Sequence, residues 1–363
     1  MPNGSIDSNV DYVADFSAET GVIWPTMAAA RANGLQVQRS LFGKLQQFTS
    51  DDVDVVVFGS LARREWTSGS DVDWTMLIDG QANPEHRVTS RKIAEAVRES
   101  GLPAPGAEGI FGNMAFSHEI VHHIGGQADT NRNTTQRVLL LLEATALRDP
   151  TDELAGPYAR IVRQILNRYL VSDSNFHSQT DDESRIPRFL LNDIVRYWRT
   201  MCVDFAYKDW EQAGKKWAIR NIKLRTSRKL LFFAGLLMVF SCFRNDLLRR
   251  DGESPNDYLL RLQKHLLNFV QSTPLDIVVW SLRALEMDAQ CRDLFSAYEE
   301  FLSRISKESL REHLSNLNEE AVYGDEIFLE CREISHRLQA TLKEMCFEMD
   351  SPLREFTSKY GVF

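Results

Sequence analysis

The stretch FGSLARREWTSGSDVDW, residues 58–74, contains two short polar signals that could act together in one chemical step. Gly59 and Ser60 follow an apolar run, and Asp71 and Asp73 stand two residues apart a short way downstream. Residues two apart on a strand point to the same side, so the two carboxylates are expected to lie close together. Because such carboxylates repel each other unless a cation lies between them, and because hard oxygen ligands favour Mg²⁺ or Mn²⁺, the spacing predicts a divalent metal site.

The Gly-Ser pair is expected to hold an anion beside that metal. Glycine at position 59 allows the backbone to approach a ligand closely, and the start of the following helix offers free N–H groups to a phosphate. Ser60 adds a hydroxyl donor. Either signal alone is also common in ordinary surface loops. Together they describe a site for a nucleoside triphosphate and its Mg²⁺.

Two predicted strands carry these residues. VDVVVFG, residues 53–59, is a short β-branched run that ends at glycine, which is typical of a buried strand entering a turn. LARREW then predicts a short helix and SGS a loop. DVDWTMLIDG alternates strictly, so it predicts a strand with Asp71, Asp73 and Thr75 on one face and apolar side chains on the other.

The rest of the chain separates into two parts. Apolar spacing predicts one or two helices over residues 21–48 with a break at Gly34, and the pattern is helical almost throughout after about residue 150. A length of 363 residues also favours two domains. We therefore expect an α+β fold, with a small mixed β-sheet catalytic domain and N-terminal helices over residues 1–150. An all-helical domain over residues 151–363 would form the other wall of the cleft.

Composition limits the possible locations and partners. The chain has a net charge of −9, 43% hydrophobic and 26% charged residues, and five scattered cysteines with no Cys-x-x-Cys pair. This composition predicts a cytoplasmic protein with reduced thiols, and it makes nucleic acid an unlikely partner. The most apolar run, residues 230–243, is shorter than the roughly 20 residues that span a bilayer. We expect it to be a buried core helix, with no membrane contact.

The order strand, Gly-Ser, helix, loop and Asp-x-Asp strand resembles the polymerase-β-like nucleotidyltransferase superfamily. Gly59 and Ser60 match the first part of its signature, and Asp71 and Asp73 match the second. The resemblance implies transfer of a nucleoside monophosphate from a nucleoside triphosphate such as ATP to an acceptor hydroxyl. Asp71 and Asp73 would hold the metal ions, and pyrophosphate would leave.

The superfamily also has a third carboxylate on a later strand, which helps to bind the catalytic metal and activates the attacking hydroxyl. Glu108, in PGAEGIFG, is our first candidate for this catalytic role, and Glu119 and Asp129 are its competitors. If none of them serves, the chain would bind nucleotide without turning it over.

Two further segments narrow the resemblance. NTTQRVLLLLEATALRD and RNIKLRTSRKLLFFAGL resemble the helical region of the protein-PII uridylyltransferase and glutamine-synthetase adenylyltransferase group and its shorter relatives. This likeness implies a hydroxyl on a protein as the acceptor. The alternatives are synthesis of a signalling or cyclic nucleotide, RNA 3′-end extension, and a catalytically degenerate nucleotide sensor or antitoxin-like module.

Two remaining motifs have competing interpretations. Residues 215–229, KKWAIRNIKLRTSRK, hold seven basic residues and no acid, so they are either a solvated helix face or a cationic wall with Lys223 and Arg225 binding the nucleotide. HEIVHHIGG, residues 118–126, contains the His-Glu-x-x-His zinc-protease motif. The extended form of that motif requires a ligand where Ala128 stands, which disfavours zinc proteolysis.

Overall fold

The chain forms two compact units, which we name the sheet unit and the helical unit. The computed structural model describes residues 5–105, 111–148, 156–172, 186–211, 213–243, 245–247 and 249–361. The sheet unit comprises Ala30–Pro187 and Arg249–Thr273, and the helical unit comprises Met1–Ala29, Arg188–Leu248 and Pro274–Phe363. A small mixed sheet early in the chain and helices through the later part confirm the predicted α+β class. The separate functions predicted for residues 1–150 and 151–363 stay predictions.

The helices number sixteen in the described residues, apart from short 3-10 and π-helical turns. In chain order they are α1 Tyr12–Thr20, α2 Pro25–Leu45, α3 Gly59–Ala62, α4 Glu85–Glu99, α5 Ser117–His122, α6 Asn131–Leu142, α7 Pro157–Ser172, α8 Arg188–Glu211, α9 Trp217–Lys223, α10 Lys229–Phe240, α11 Pro255–Val270, α12 Pro274–Ala284, α13 Asp288–Ile305, α14 Glu308–Asn316, α15 Glu326–Lys343 and α16 Pro352–Tyr360.

The sheet of the sheet unit has four strands in the order β3-β2-β1-β4. They are β1 Val53–Phe58, β2 Trp74–Ile78, β3 Asn113–Phe116 and β4 Ala144–Ala146. Strand β1 is antiparallel to β2 and β4, and β2 is parallel to β3. The register places Val57 opposite Trp74, and Thr75 opposite Asn113. The end of β1 and the starts of β2 and β3 therefore meet at one edge of the sheet.

Strands β1 and β2 are buried at every residue, which explains their nearly continuous apolar sequence. One face packs its valines, Trp74 and Met76 into a core with Leu41 of α2 and Ile93 of α4. On the other face, Thr75 and its neighbours line a small apolar cavity with side chains from α5 and α6. The alternation predicted for β2 is thus observed, with each face covered by helices.

Gly34 does not break α2, which runs continuously from Pro25 to Leu45. A Cβ atom at Gly34 would lie 3.0 Å from the Cα atom of Arg64. The glycine therefore lets α2 approach the backbone that follows the Gly-Ser turn. The sequence pattern predicted a helix here correctly, but the predicted break at Gly34 is wrong.

The helical unit encloses the most apolar run of the chain. Ten of the residues of α10 are buried, as predicted for a core helix. A π-helical segment, Leu224–Arg228, joins α9 to α10. Among the described helices, none combines the length and the apolar character that crossing a bilayer requires.

Candidate active site

The Gly-Ser turn lies where β1 ends. Gly59 has a φ of +66°, in the left-handed region that favours glycine, and α3 begins at the same residue. A Cβ atom at this position would lie 2.9 Å from Oδ2 of Asp73. The Asp73 carboxylate therefore lies beside the bare Cα of Gly59, where a side chain would clash with it. The two halves of the sequence motif thus meet in space.

Asp71 and Asp73 lie just before β2, which begins at Trp74 and not at Asp71 as predicted. The backbone nevertheless continues the pattern of the strand, because the N–H of Phe58 donates to the carbonyl of Asp73 at 2.9 Å. The N–H of Val72 donates instead to the carbonyl of Pro103 at 2.8 Å, which ends the regular ladder.

The side chains around Val72 keep the predicted alternation. Val72 is fully buried in the core on the same face as Trp74. Asp71 is exposed and Asp73 is half-buried. On an extended chain, side chains two residues apart point to the same side and the residue between them points to the other. Asp71 and Asp73 therefore share one side, and Val72 enters the core.

These carboxylates fit a divalent cation by their chemistry. Two carboxylates supply part of the oxygen set that Mg²⁺ takes, and Mg²⁺ normally keeps waters and substrate phosphates as its other ligands. The missing side chain at Gly59 lets Asp73 Oδ2 lie beside the Gly-Ser turn. Asp71 and Asp73 are thus the residues of this edge that could hold the metal.

Backbone hydrogen bonds fix the shape of the Gly-Ser turn. The N–H of Arg63 donates to the carbonyl of Gly59 at 3.0 Å, and the N–H of Glu65 donates to that of Ser60 at 2.7 Å. The side-chain amide of Gln38, on α2, donates to the carbonyl of Leu61 at 2.7 Å. Ser60 itself is half-buried. The turn is therefore tied to α2 and to the chain that follows α3.

A buried charge network lies behind the turn, and the sequence did not reveal it. Arg63 donates through Nε to Glu65 at 2.9 Å and through another guanidinium nitrogen to Glu143. The side chain of Glu143 is fully buried at the end of α6. The next residue, Ala144, pairs with Phe58 in the sheet. The sequence shows Arg63 in LARREW, but no local pattern identifies its partner Glu143, which lies 80 residues away.

The structure describes two of the three candidates for a third carboxylate. Glu108 lies outside the described residues. Glu119 is exposed on α5. Asp129 is buried and accepts hydrogen bonds at 3.0 and 2.9 Å from the guanidinium of Arg137, which also donates to the hydroxyl of Tyr169. The Asp129 carboxylate therefore takes part in a structural ion pair.

The His-Glu-x-x-His motif spans the short helix α5 and its end. The rings of His118 and His122 lie 5.1 Å apart between centroids, and those of His118 and His123 lie 5.4 Å apart. Within the described ranges, no group of three or more His, Cys, Asp or Glu side chains has the arrangement of a metal site.

The basic stretch belongs to the helical unit, in α9, the π-helical segment and the start of α10. Lys223 and Arg225 are both half-buried, and Arg225 Nε donates to Asn221 Oδ1 at 2.8 Å. Trp217 is buried and packs against Phe328, with 5.9 Å between ring centroids. Trp217 is thus a core side chain.

Comparison with known protein families matches one part of the chain. The model of the nucleotidyltransferase domain family matches residues 39–103. This segment includes β1, the Gly-Ser turn, both aspartates and β2. The search of curated proteins gave no match. Residues 39–103 thus match the nucleotidyltransferase domain family, in agreement with the resemblance that the motif spacing indicated.

Proposed function

We propose that this protein is a metal-dependent nucleotidyltransferase. It would move a nucleoside monophosphate from a nucleoside triphosphate, such as ATP, to an acceptor hydroxyl with release of pyrophosphate. The observation that carries the proposal is the contact between the Asp73 carboxylate and the bare Cα of Gly59. That contact lies inside the segment that matches the nucleotidyltransferase domain.

Asp71 and Asp73 would hold the divalent cation, Mg²⁺ or Mn²⁺. When bound, the cation would neutralise phosphate charge and polarise the phosphoryl group. The exposed Asp71 and half-buried Asp73 would orient it toward the open edge of the sheet. Because hydrogen bonds from Phe58 to the Asp73 carbonyl and from Val72 to the Pro103 carbonyl fix the backbone here, little reorganisation would be needed when substrate binds.

The Gly-Ser turn would hold the phosphates. Because Gly59 has no side chain, the Asp73 carboxylate can lie beside the turn, and the Ser60 hydroxyl would donate a hydrogen bond to a phosphate oxygen. The hydrogen bonds from Gln38, Arg63 and Glu65 support the rigid turn that such positioning requires.

We propose Glu108 as the carboxylate that accepts the proton of the attacking hydroxyl. Its place in the sequence, shortly before β3, supports this role, because β3 starts at the same edge of the sheet as β2. Glu119 is the alternative, since it is exposed on α5. The pairing of Asp129 with Arg137 argues against the third candidate.

The acceptor we propose is a hydroxyl on a protein, as the likeness to the uridylyltransferase and adenylyltransferase group implies. Lys223 and Arg225 stay candidates for nucleotide binding, supported by the seven basic residues in 215–229. The experiment below distinguishes this protein acceptor from two alternatives, the synthesis of a small signalling nucleotide and nucleotide binding without catalysis.

The test is incubation of the full chain with each α-labelled nucleoside triphosphate, Mg²⁺ and cell lysate, followed by protein gels, thin-layer plates and a pyrophosphate assay. We expect label on a polypeptide and release of pyrophosphate. Asp71→Asn and Asp73→Asn should abolish both, whereas Asp51→Asn, an exposed carboxylate of the same unit, should not. Label on a small molecule would replace the protein acceptor, and tight nucleotide binding without pyrophosphate would contradict catalysis.

A further inference from the structure

The helical unit holds two neighbouring cations whose hydrogen-bond acceptors are neutral. Arg225 Nε donates to the amide oxygen of Asn221 at 2.8 Å, and Lys229 Nζ donates to the amide oxygen of Gln339 on α15. Both cations are half-buried. In the described part of the chain, neither forms an ion pair with a carboxylate. An amide oxygen orients a cation but leaves its charge in place.

The two cations lie four residues apart across the junction of the π-helical segment with α10, and the Arg225 charge acts on Lys229. Arg225 lies within the π-helical segment Leu224–Arg228, and Lys229 is the first residue of α10. The hydroxyl of Thr226 donates to the carbonyl of Ile222 at 2.7 Å, which lets it compete with the backbone for an acceptor of the regular helix. Short π-helical segments within α-helices are frequent at functional sites.

The neighbouring charges make the site electropositive. Burial lowers the pKa of the Lys229 ammonium, and the guanidinium of Arg225 lowers it further. The other group that acts on Lys229 is the thiol of Cys202, which is neutral in this setting because burial raises its pKa. Two half-buried cations without an opposite charge favour a bound anion.

An aromatic pair lies on the two helices that carry Cys202 and Lys229. Trp198 on α8 and Phe232 on α10 stack with 5.3 Å between centroids and an interplanar angle of 18°. Trp198 precedes Cys202 by one helical turn, and Phe232 follows Lys229 by about one turn. Both rings are half-buried, so a partly accessible aromatic pair lies about one helical turn along the chain from Cys202 and from Lys229.

We propose that Arg225 and Lys229 form a binding site for a phosphate-bearing anion that requires no divalent metal. Guanidinium and ammonium groups are the side chains that bind phosphate oxygens, through charge-assisted hydrogen bonds. The site extends the nucleotide-binding role suggested for Arg225 to a partner, Lys229, that the sequence analysis did not select. It holds whether or not the transfer reaction at Asp71 and Asp73 takes place.

Cys202 provides a reporter within the site. It is half-buried, whereas the other four cysteines, all of them described, are buried. A phosphate on Lys229 would shield the thiol and disfavour its thiolate, so alkylation of Cys202 should slow. The experiment measures iodoacetamide labelling of Cys202 by mass spectrometry in the full chain, with EDTA present and with increasing inorganic pyrophosphate or ATP.

We expect both pyrophosphate and ATP to protect Cys202. Equal protection by the two probes would mean that the site recognises the phosphates alone. Protection at lower concentrations of ATP than of pyrophosphate would show that the nucleoside contributes to binding. Arg225→Gln and Lys229→Gln should each weaken protection about tenfold, the usual effect of losing one charge-assisted hydrogen bond. Lys229→Arg should retain protection. Lys208→Gln is the matched control, because it removes a positive charge that pairs with Asp204 on the exposed part of α8.

Three results would overturn the inference. The first is that neither probe protects Cys202 in the wild-type chain. The second is that protection is unchanged in Arg225→Gln and Lys229→Gln. The third is that protection is lost in the double variant Asp71→Asn, Asp73→Asn. The last variant separates this site from the proposed active site. If it retains protection but releases no pyrophosphate, both proposals are supported. If the wild-type chain shows protection without turnover, only the transferase proposal fails.

Discussion

Replacement of Gly59 by alanine is the sharpest perturbation of the proposed active site. At a φ of +66°, an L-residue is strained by about 1–2 kcal/mol. The new Cβ would also lie 2.9 Å from Asp73 Oδ2, whereas ordinary van der Waals contact begins at 3.4 Å. The carboxylate must therefore move by about 0.5 Å, which exceeds the spread of about 0.2 Å expected for metal–ligand distances.

The expected result is a combined loss of stability and activity. Because a misplacement of about 1 Å can lower the rate about a hundredfold, a shift of half that size should reduce kcat/KM about tenfold. The assay is pyrophosphate release at varied Mg²⁺, together with urea unfolding. The apparent Mg²⁺ requirement should rise, since the displaced ligand is Asp73.

Gly101 provides the matched control. It lies in the same unit with a φ of +72°, and a Cβ there would meet nothing within 4 Å. Gly101→Ala should therefore lose a similar 1–2 kcal/mol of stability and keep its activity. Equal activity in Gly59→Ala and Gly101→Ala would refute the argument, because the contact with Asp73 would then have no part in metal binding.

Three further outcomes follow from buried and paired charges. Arg63→Met should lower the free energy of unfolding by about 3–5 kcal/mol in urea, because it leaves two buried carboxylates without their cation; a loss below 1 kcal/mol would contradict the network. Asp129→Asn should lower stability but leave the Mg²⁺ dependence of pyrophosphate release unchanged, since its carboxylate pairs with Arg137; a raised Mg²⁺ requirement would make it a metal ligand. Hydrogen bonds from the Arg261 side chain and from the Arg250 N–H lower the pKa of Glu253 to about 2. The stabilisation of the folded state by this carboxylate is therefore complete above the ordinary pKa of 4.5 and is lost as the pH falls toward 2. Urea unfolding of Glu253→Gln should thus differ from wild type at pH 7 and converge with it in acid, and a constant difference across that range would be inconsistent with the pairing.

Local patterns in the sequence were sufficient for the motif and its strands. The β-branched run of β1, the glycine after it and the alternation around Val72 each follow from spacing within about ten residues, and the structure shows all three. The buried character of α10 followed from composition in the same way. The strand β4 was missed because it has only three residues and follows directly on a long apolar helix.

Long-range relations could not be predicted from one sequence. The side chain of Arg63 pairs with Glu143, and α11 belongs to the sheet unit although it follows three helices of the other unit, α8, α9 and α10. Such contacts depend on packing between distant segments, which leaves no local periodicity. The role of Gly34 was misread for the same reason, because its partner, the backbone of Arg64, lies 30 residues away.

The central claim is that Asp71 and Asp73 together hold a divalent cation that carries the triphosphate. Binding of Mn²⁺, measured by electron paramagnetic resonance with a non-hydrolysable ATP analogue present, tests it most directly. The account predicts bound Mn²⁺ in the wild-type chain and its loss in the double variant Asp71→Asn, Asp73→Asn. Equal Mn²⁺ binding in both chains would contradict it.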